Sequence, residues 1–234
     1  MEPSPQFRES SVRWKLTNHL AQFVSDHKRE FIERVLRNRT RYVTVVLEDI
    51  YQSQNASAVL RTAECLGLQD IYIVETRSAW STNKQVLKGA NKWIQVLRYR
   101  RKQTNNIERC IGDLKQKGYR VGITDPDPDG VSIDEVPLDQ PLAIVMGNEK
   151  HGVSSNAKQL ADLKIHIPMT GFTESLNISV SAAISLYSVL SRVRASDLPW
   201  HLKQDEIDEL RVQWYKKVIR NAELIEKEFM RAIQ

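Results

Sequence analysis

The chain has 234 residues, is 41% hydrophobic, and carries 34 lysines and arginines against 29 acidic residues, which gives a formal net charge of +5. Its apolar fraction suffices for a packed core, and nine glycines with eight prolines are too few for collagen-like or low-complexity sequence. No segment approaches the roughly 18 consecutive apolar residues of a membrane span, so no membrane partner is expected. Only Cys65 and Cys110 occur, and the first ten residues lack the apolar core of a secretory signal, so we expect a reducing, cytoplasmic location.

The hydrophobic pattern predicts strands that alternate with helices, because short β-branched runs are separated by segments with apolar residues at helical spacing. The predicted strands cover residues 42–50, 70–75, 93–99, 119–124, 141–147 and 163–169, and the predicted helices cover residues 1–41, 55–67, 107–117, 177–194 and about 205–232. This alternation indicates an α/β fold with a mostly parallel sheet flanked by helices. Such sheets bind ligands at the carboxyl ends of their strands, so the loops after Ile50, Thr124, Met146 and Ile167 are candidate sites.

The first of these loops leads into a segment in which Asn55 or Ser53 suits the N-cap of a helix. Arg61 follows about two turns into that helix, among small apolar residues. A buried arginine needs a partner, and its planar fork suits a phosphate or a carboxylate. The sequence therefore leaves two interpretations open: Arg61 binds a ligand, or it forms an internal salt bridge to Glu64 or Glu149.

Two later loops combine small residues with polar side chains. Segment 146–152, MGNEKHG, follows an apolar strand, and its glycines let backbone amides approach a ligand closely, although such turns also occur without a ligand. In segment 167–183, a polar cluster around Ser175 and Asn177 either lines a pocket or caps the next helix. The chain has neither the glycine fingerprint of a dinucleotide site nor a P-loop, and its histidines show no metal-ligand spacing, so no metal is expected.

Basic residues are concentrated in two segments of the sequence. Between Thr76 and Ile107 there is no Asp or Glu, and aromatic residues are interleaved with lysines and arginines. Cations neutralise phosphates and aromatic rings stack on exposed bases, so this stretch is a candidate RNA-binding surface, with a solvated basic face as the alternative. The candidate contacts, including those of a second cluster near residue 40, are Lys84, Lys88, Arg98, Arg100, Arg101, Arg37, Arg39 and Arg41.

Three motifs in this order, N-A-S-A-x-x-R-T-A from Asn55, G-N-E-K-x-G from Gly147 and I-P-M-x-G-x-x-x-S-L-N-I-S-V-S-A-A from Ile167, resemble those of the SpoU/TrmH family. That family belongs to the SPOUT superfamily of RNA 2′-O-ribose methyltransferases, which use S-adenosylmethionine. The flanking helical segments are similar to those of the tRNA-specific members, so the resemblance implies methylation of the ribose 2′-hydroxyl of guanosine 18 in the tRNA D-loop. The same reaction on rRNA or another tRNA site, and a non-catalytic RNA-binding protein of this fold, are the alternatives.

The resemblance also implies an architecture and a set of site residues. It implies a SPOUT domain over residues 42–194 with a deep C-terminal trefoil knot, between helical extensions at 1–41 and 195–234. It further implies a homodimer whose active site is completed across the interface, with tRNA as the substrate. The implied catalytic residues are Arg61, Asn55, Glu149, Ser175 and Asn177. The implied cofactor contacts, largely through backbone groups, are Thr124, Gly147, Ile167 and Leu176.

Overall fold

A parallel sheet of seven strands organises residues 40–200 in the computed structural model, which describes residues 12–77, 79–127 and 129–233. The strands are β1 (Val43–Glu48), β2 (Asp70–Val74), β3 (Gln95–Tyr99), β4 (Arg120–Thr124), β5 (Val131–Ser132), β6 (Leu142–Met146) and β7 (Leu163–His166). Their order across the sheet is β3-β2-β1-β6-β4-β7-β5, and each of these neighbouring pairs is parallel. The predicted α/β class with a mostly parallel sheet is therefore confirmed.

Helices cover both faces of this sheet, because successive side chains of a strand point to opposite faces. The helices of the described residues are α1 (Val12–Ala21), α2 (Asp26–Arg37), α3 (Ser53–Cys65), α4 (Lys84–Leu87), α5 (Asn106–Gln116), α6 (Ser155–Leu160), α7 (Ile178–Arg194), α8 (Gln204–Val218) and α9 (Ala222–Ala232). Val45 and Leu47 of β1 pack in one core with α3 and α7, whereas Val46 packs in the other core with α5 and α6. Strands β1 and β6 are buried along their whole lengths, as parallel strands covered on both faces should be.

The strand order brings four loops together at the carboxyl edge of the sheet. From β1 the chain moves outward through β2 to β3 and then crosses to β4, and β6 is inserted between β1 and β4. Open α/β sheets bind ligands at such a change of direction. The loops after β1, β6, β4 and β7, which the sequence marks as candidate sites, are therefore neighbours. The trefoil knot stays a prediction.

Helices α1, α2, α8 and α9 form a second compact unit, made of the described residues up to Arg39 and from His201 onward. Trp214 lies in its interior, and the fully buried Arg39 guanidinium lies 5.2 Å from the centre of that ring. Arg211 ties α8 to α2 through Glu33, with 2.8 Å between Nη2 and Oε2. The domain boundaries at residues 41 and 194 stay a prediction. Among the described residues, no helix combines the length and apolar character needed to cross a bilayer.

The prediction of one continuous helix from about residue 205 to residue 232 is wrong. Helix α8 ends at Val218 because Ile219 is extended, with ψ of 131°, and α9 begins at Ala222 after Asn221, which is left-handed with φ of +58°. Asparagine tolerates the left-handed conformation better than most residues. The break lies in the backbone and leaves no mark in the apolar spacing. The sequence pattern also does not reveal β5, α4 and α6, since each is too short for a periodic signal. Residues 1–11 of the predicted N-terminal helical segment lie outside the described residues.

Candidate functional site

A cavity of about 510 Å³ opens at the carboxyl edge of the sheet, which is within the size range of small-molecule sites. The predicted site residues that line it are Asn55, Thr124, Gly147, Glu149, Ile167, Ser175, Leu176 and Asn177. The loops after β1, β4, β6 and β7 each contribute to its wall. The structure thus brings together all the predicted cofactor contacts and every predicted catalytic residue except Arg61, while the roles of these residues stay predictions.

A chain of side-chain hydrogen bonds joins three of these loops. Asn55 Nδ2 donates to Glu149 Oε1 at 3.0 Å, and Asn177 Nδ2 donates to Asn55 Oδ1 at 3.2 Å. Asn177 Oδ1 in turn accepts the Ser179 N–H at 2.9 Å, so Asn177 caps α7 as the sequence allows. The expectation that Asn55 or Ser53 caps α3 is wrong, because the helix begins at Ser53 and Gln52 occupies the N-cap. Asn55 is thereby left to connect the loops.

The glycine loop after β6 forms a narrow hairpin that only a glycine can begin. Asn148 and Gly152 exchange two backbone hydrogen bonds of 3.0 and 2.8 Å. A Cβ on Gly147 would lie 2.2 Å from the Gly152 carbonyl carbon and from the Val153 nitrogen, far inside van der Waals contact. Gly147 therefore lets the two arms of the hairpin approach each other, and the closed hairpin forms part of the cavity wall.

Two anchors fix this hairpin to the first strand. The Asn148 Nδ2 donates to the Asp49 carbonyl at 2.7 Å, and Glu48 Oε2 accepts the Ser154 N–H at 3.0 Å. Glu48 is only 5% exposed, so its carboxylate is held inside the domain at the end of β1. These bonds set the distance between the loop after β1 and the loop after β6.

Two polar atoms of the cavity lining have no hydrogen-bond partner among the described residues. Ser185 Oγ of α7 and His166 Nδ1 of β7 are both inaccessible to solvent, and both residues line the cavity. Buried polar groups are nearly always hydrogen-bonded in native proteins, so these two atoms fit a ligand that supplies polar groups of its own. Sequence reasoning misses both residues, because Ser185 lies within an apolar helix and His166 within a short strand.

Arg61 does not line the cavity. It is exposed on α3, and its Nη1 makes one long hydrogen bond of 3.5 Å to the Val86 carbonyl. Among the described residues, no ion pair joins Arg61 to Glu64 or Glu149, the two partners that the sequence leaves open. The exposed guanidinium is therefore accessible to a group from outside this chain.

The predicted RNA contacts divide into exposed and internally bonded residues. Arg98 makes two 2.8 Å bonds to Glu75 and lies 5.2 Å from the Trp80 ring centre, and Arg41 makes an ion pair with Asp70 at 2.9 Å. Burial raises the pKa of Glu75, but hydrogen bonds from Arg98 and the Trp80 N–H leave that pKa below its ordinary value. Arg39 is fully buried, so it is not presented to RNA. Arg98 is exposed although it is bonded, and the other exposed candidates are Arg37, Lys84, Lys88, Arg100 and Arg101.

Comparison with known proteins identifies similar sequences and structures. The SpoU rRNA Methylase family matches residues 42–187. A Borreliella burgdorferi protein named tRNA (guanosine(18)-2′-O)-methyltransferase is 40% identical over 207 residues, which are 88% of this chain and 93% of that protein. The crystal structure of the A. aeolicus TrmH/SpoU tRNA modifying enzyme has a TM-score of 0.72 at 27% identity and covers 83% of this chain and 98% of that one. The methyltransferase AviRb from Streptomyces viridochromogenes, solved in complex with AdoMet, shares the fold at a TM-score of 0.58 and 20% identity, covering 70% of this chain and 65% of that one.

Replacement of Gly147 by alanine is expected to disrupt the hairpin, since the added methyl group would meet backbone atoms at 2.2 Å. We expect the free energy of unfolding in urea to fall by about 1–3 kcal/mol and the affinity for S-adenosylmethionine, measured by calorimetry, to fall about tenfold or more. Gly112→Ala is the matched control, because nothing lies within 4 Å of its Cβ in α5, and it should stabilise by about 0.4–1 kcal/mol. Unchanged stability and affinity of Gly147→Ala would contradict the steric argument.

Proposed function

Because the chain belongs to the SpoU methylase family, also called SpoU/TrmH, we propose that it methylates the ribose 2′-oxygen of guanosine 18 in the D-loop of tRNA, with S-adenosylmethionine as cofactor. The observation that carries this proposal is the hydrogen-bonded convergence of Asn55, Glu149 and Asn177 on one cavity. A tRNA substrate is favoured over rRNA because the Borreliella relative, matched over nearly its whole length, is named for tRNA. A non-catalytic role is disfavoured because the three family motifs are intact.

The lining of the cavity fits S-adenosylmethionine. Thr124, Gly147, Ile167 and Leu176 would hold it, largely through backbone groups, and the unpartnered polar atoms of Ser185 and His166 would contact it at the buried end. When bound, S-adenosylmethionine supplies an electrophilic methyl group. Gly147 lets the hairpin in this wall close on itself, which would fix the backbone groups that contact the ligand.

The side chains of the site position the ribose and assist departure of its proton. Glu149, which Asn55 holds in position, would accept a hydrogen bond from a ribose at the cavity mouth. The hydroxyl of Ser175 would donate one to the same ribose. Orientation of two reacting groups can contribute about 7–11 kcal/mol to catalysis. A guanidinium stays protonated in proteins, so Arg61 serves as a cation that binds the substrate phosphate and polarises the 2′-hydroxyl, while a phosphate oxygen or water accepts the proton.

In this proposal, the Arg61 of one subunit contributes to the cavity of a second copy of the chain. Helix α7 begins at the cavity and exposes an apolar stripe at helical spacing, with Val180 45%, Ile184 38% and Tyr187 67% exposed. Helix α3, which carries Arg61, packs against α7. A symmetric dimer through this stripe would cover the apolar side chains and place the partner subunit's Arg61 beside the cavity. The trefoil knot and a cytoplasmic location complete the proposal.

Incubation with S-adenosylmethionine and unmodified tRNA transcripts is expected to produce 2′-O-methylguanosine at position 18, mapped by nuclease digestion and mass spectrometry. Replacement of guanosine 18 by its 2′-deoxy analogue should abolish the product, because the acceptor oxygen is missing. Methylation at another nucleotide of tRNA, or only of rRNA fragments, would favour the alternatives in which the same reaction occurs on another tRNA site or on rRNA. Binding of both ligands without any product would favour the non-catalytic role.

The dimer and the placement of Arg61 are tested together by complementation between Arg61→Ala and Asn177→Ala. Each homodimer should be inactive or nearly so, because each variant damages both sites. A heterodimer, isolated through a different affinity tag on each chain, should have about half of the wild-type activity, since one site keeps an intact cavity and an intact partner arginine. If Arg61 acts in its own subunit, both sites of the heterodimer are damaged, and an inactive heterodimer would contradict the proposal.

Ser185→Ala is expected to weaken cofactor binding without lowering the stability of the ligand-free protein. In the ligand-free protein this hydroxyl has no hydrogen-bond partner among the described residues, so its removal should leave the melting temperature unchanged or raised. Loss of a hydrogen bond to the cofactor should reduce its affinity about threefold to tenfold in calorimetry. Ser188→Ala is the matched control, because its Oγ donates to Asp134 at 2.7 Å outside the cavity, and it should lower stability but not affinity. Equal cofactor affinity of the wild type and Ser185→Ala would exclude this contact.

A further inference from the structure

A second recess, of about 860 Å³, lies beside the cofactor cavity and shares four of its wall residues, which are Gln52, Asn148, Glu149 and Gly152. This groove extends over the ends of β1 and β2, the start of α5 and the segment 150–156. We propose that it binds a nucleotide of the single-stranded RNA loop that carries the target ribose. In this proposal, which rests on the proposed function, Tyr51 stacks on the base, and Arg77 and Lys150 contact the flanking phosphates.

Tyr51 presents an aromatic ring at the mouth of the groove. It follows β1 by three residues and is 76% exposed, although an aromatic side chain is normally covered. Base stacking on such rings is tolerant of sequence, because every base offers a π-face. A loop nucleotide that has left its stack to expose the neighbouring ribose would find a new stacking surface here. The ring therefore suits an unpaired base better than a rigid duplex.

The acidic and the basic side chains of the groove differ in their hydrogen bonds. Its carboxylates accept from the protein itself: Glu48 from the Ser154 N–H, Glu149 from Asn55, and Asp49 Oδ1 from the Thr76 and Arg77 N–H groups at 2.7 and 2.8 Å. By contrast, the side chains of the exposed Arg77 and Lys150 make no hydrogen bond or ion pair within the described ranges. Each of these carboxylates already has a donor within the protein, whereas the two cations are left for an anion such as a phosphate.

The turn that carries Tyr51 is held in an unusual backbone conformation. Asp49 has a φ of +50°, which non-glycine residues seldom adopt, and its side chain and its carbonyl are both bonded to neighbouring loops. The same carboxylate fixes the backbone of Arg77, so the ring and one of the cations are positioned by one residue.

The stacking contact is tested with D-arm RNA that carries 2-aminopurine in place of each loop base next to guanosine 18. Stacking on Tyr51 should quench the fluorescence of one of these positions on binding. Tyr51→Phe keeps the ring and should keep the quenching, whereas Tyr51→Leu should lose it and bind the RNA roughly 5- to 100-fold more weakly. Equal quenching and affinity for the wild type and Tyr51→Leu would overturn the stacking assignment.

The phosphate contacts are tested by the salt dependence of tRNA affinity. Each lost contact to single-stranded RNA should reduce the slope of log K against log salt by about 0.7, so Arg77→Ala with Lys150→Ala should reduce it by about 1.4, while Arg77→Lys keeps it. Calorimetry should give all these variants the wild-type affinity for S-adenosylmethionine. An unchanged slope, or a lower affinity for S-adenosylmethionine, would overturn the assignment of the groove.

The two proposals fail differently. Binding measurements need no turnover, so they report on the groove even if the wild type methylates no tRNA, which would instead refute the proposed function. If the wild type methylates guanosine 18 and the Tyr51 and Arg77 variants bind tRNA as it does, only the assignment of the groove is refuted.

Discussion

The side-chain amide of Asn55 connects the three loops of the site, and the geometry of the cavity depends on it. It donates to Glu149 at 3.0 Å and accepts from Asn177 at 3.2 Å. The amide can do both because it carries a donor and an acceptor; an aspartate would repel Glu149, and an alanine would remove both bonds, although Asn177 Oδ1 would still accept from Ser179. Because Asn55 is only 9% exposed, water competes weakly for these bonds. The amide thus holds the start of α3, the glycine hairpin and the start of α7 in one arrangement.

This connection places two recesses of different character side by side. The cofactor cavity is walled by the closed glycine hairpin and contains two buried polar atoms without partners among the described residues, which suits a small ligand. The groove beside it is rimmed by an exposed ring and exposed cations, which suits a polyanion that arrives from solvent. Glu149 belongs to both linings and is therefore placed where the two ligands would meet. The separation lets the cofactor and the RNA be recognised by different residues while their reacting atoms come together.

The sequence predicts much of the fold because its signals are local. Runs such as Val43–Glu48 and Leu142–Met146 are mostly apolar, as is typical of parallel strands that are buried on both faces, and the α/β alternation follows from their spacing. The order of the three motifs identifies the family, and the family match over residues 42–187 confirms it. The break between α8 and α9 escapes prediction, since it depends on the extended Ile219 and the left-handed Asn221 within a continuous helical pattern.

The amino-acid pattern therefore establishes the class of the fold, the family and the loops that form the site. Which side chains are free to act follows from the folded arrangement. Folding ties Arg98 to Glu75, buries Arg39, exposes Arg61 and leaves the Ser185 hydroxyl without a partner among the described residues. Composition cannot distinguish a cation that is available to RNA from one that is bonded internally, because both look alike in a sequence. The difference arises from the positions of groups that are distant along the chain, and these are fixed only when the chain folds.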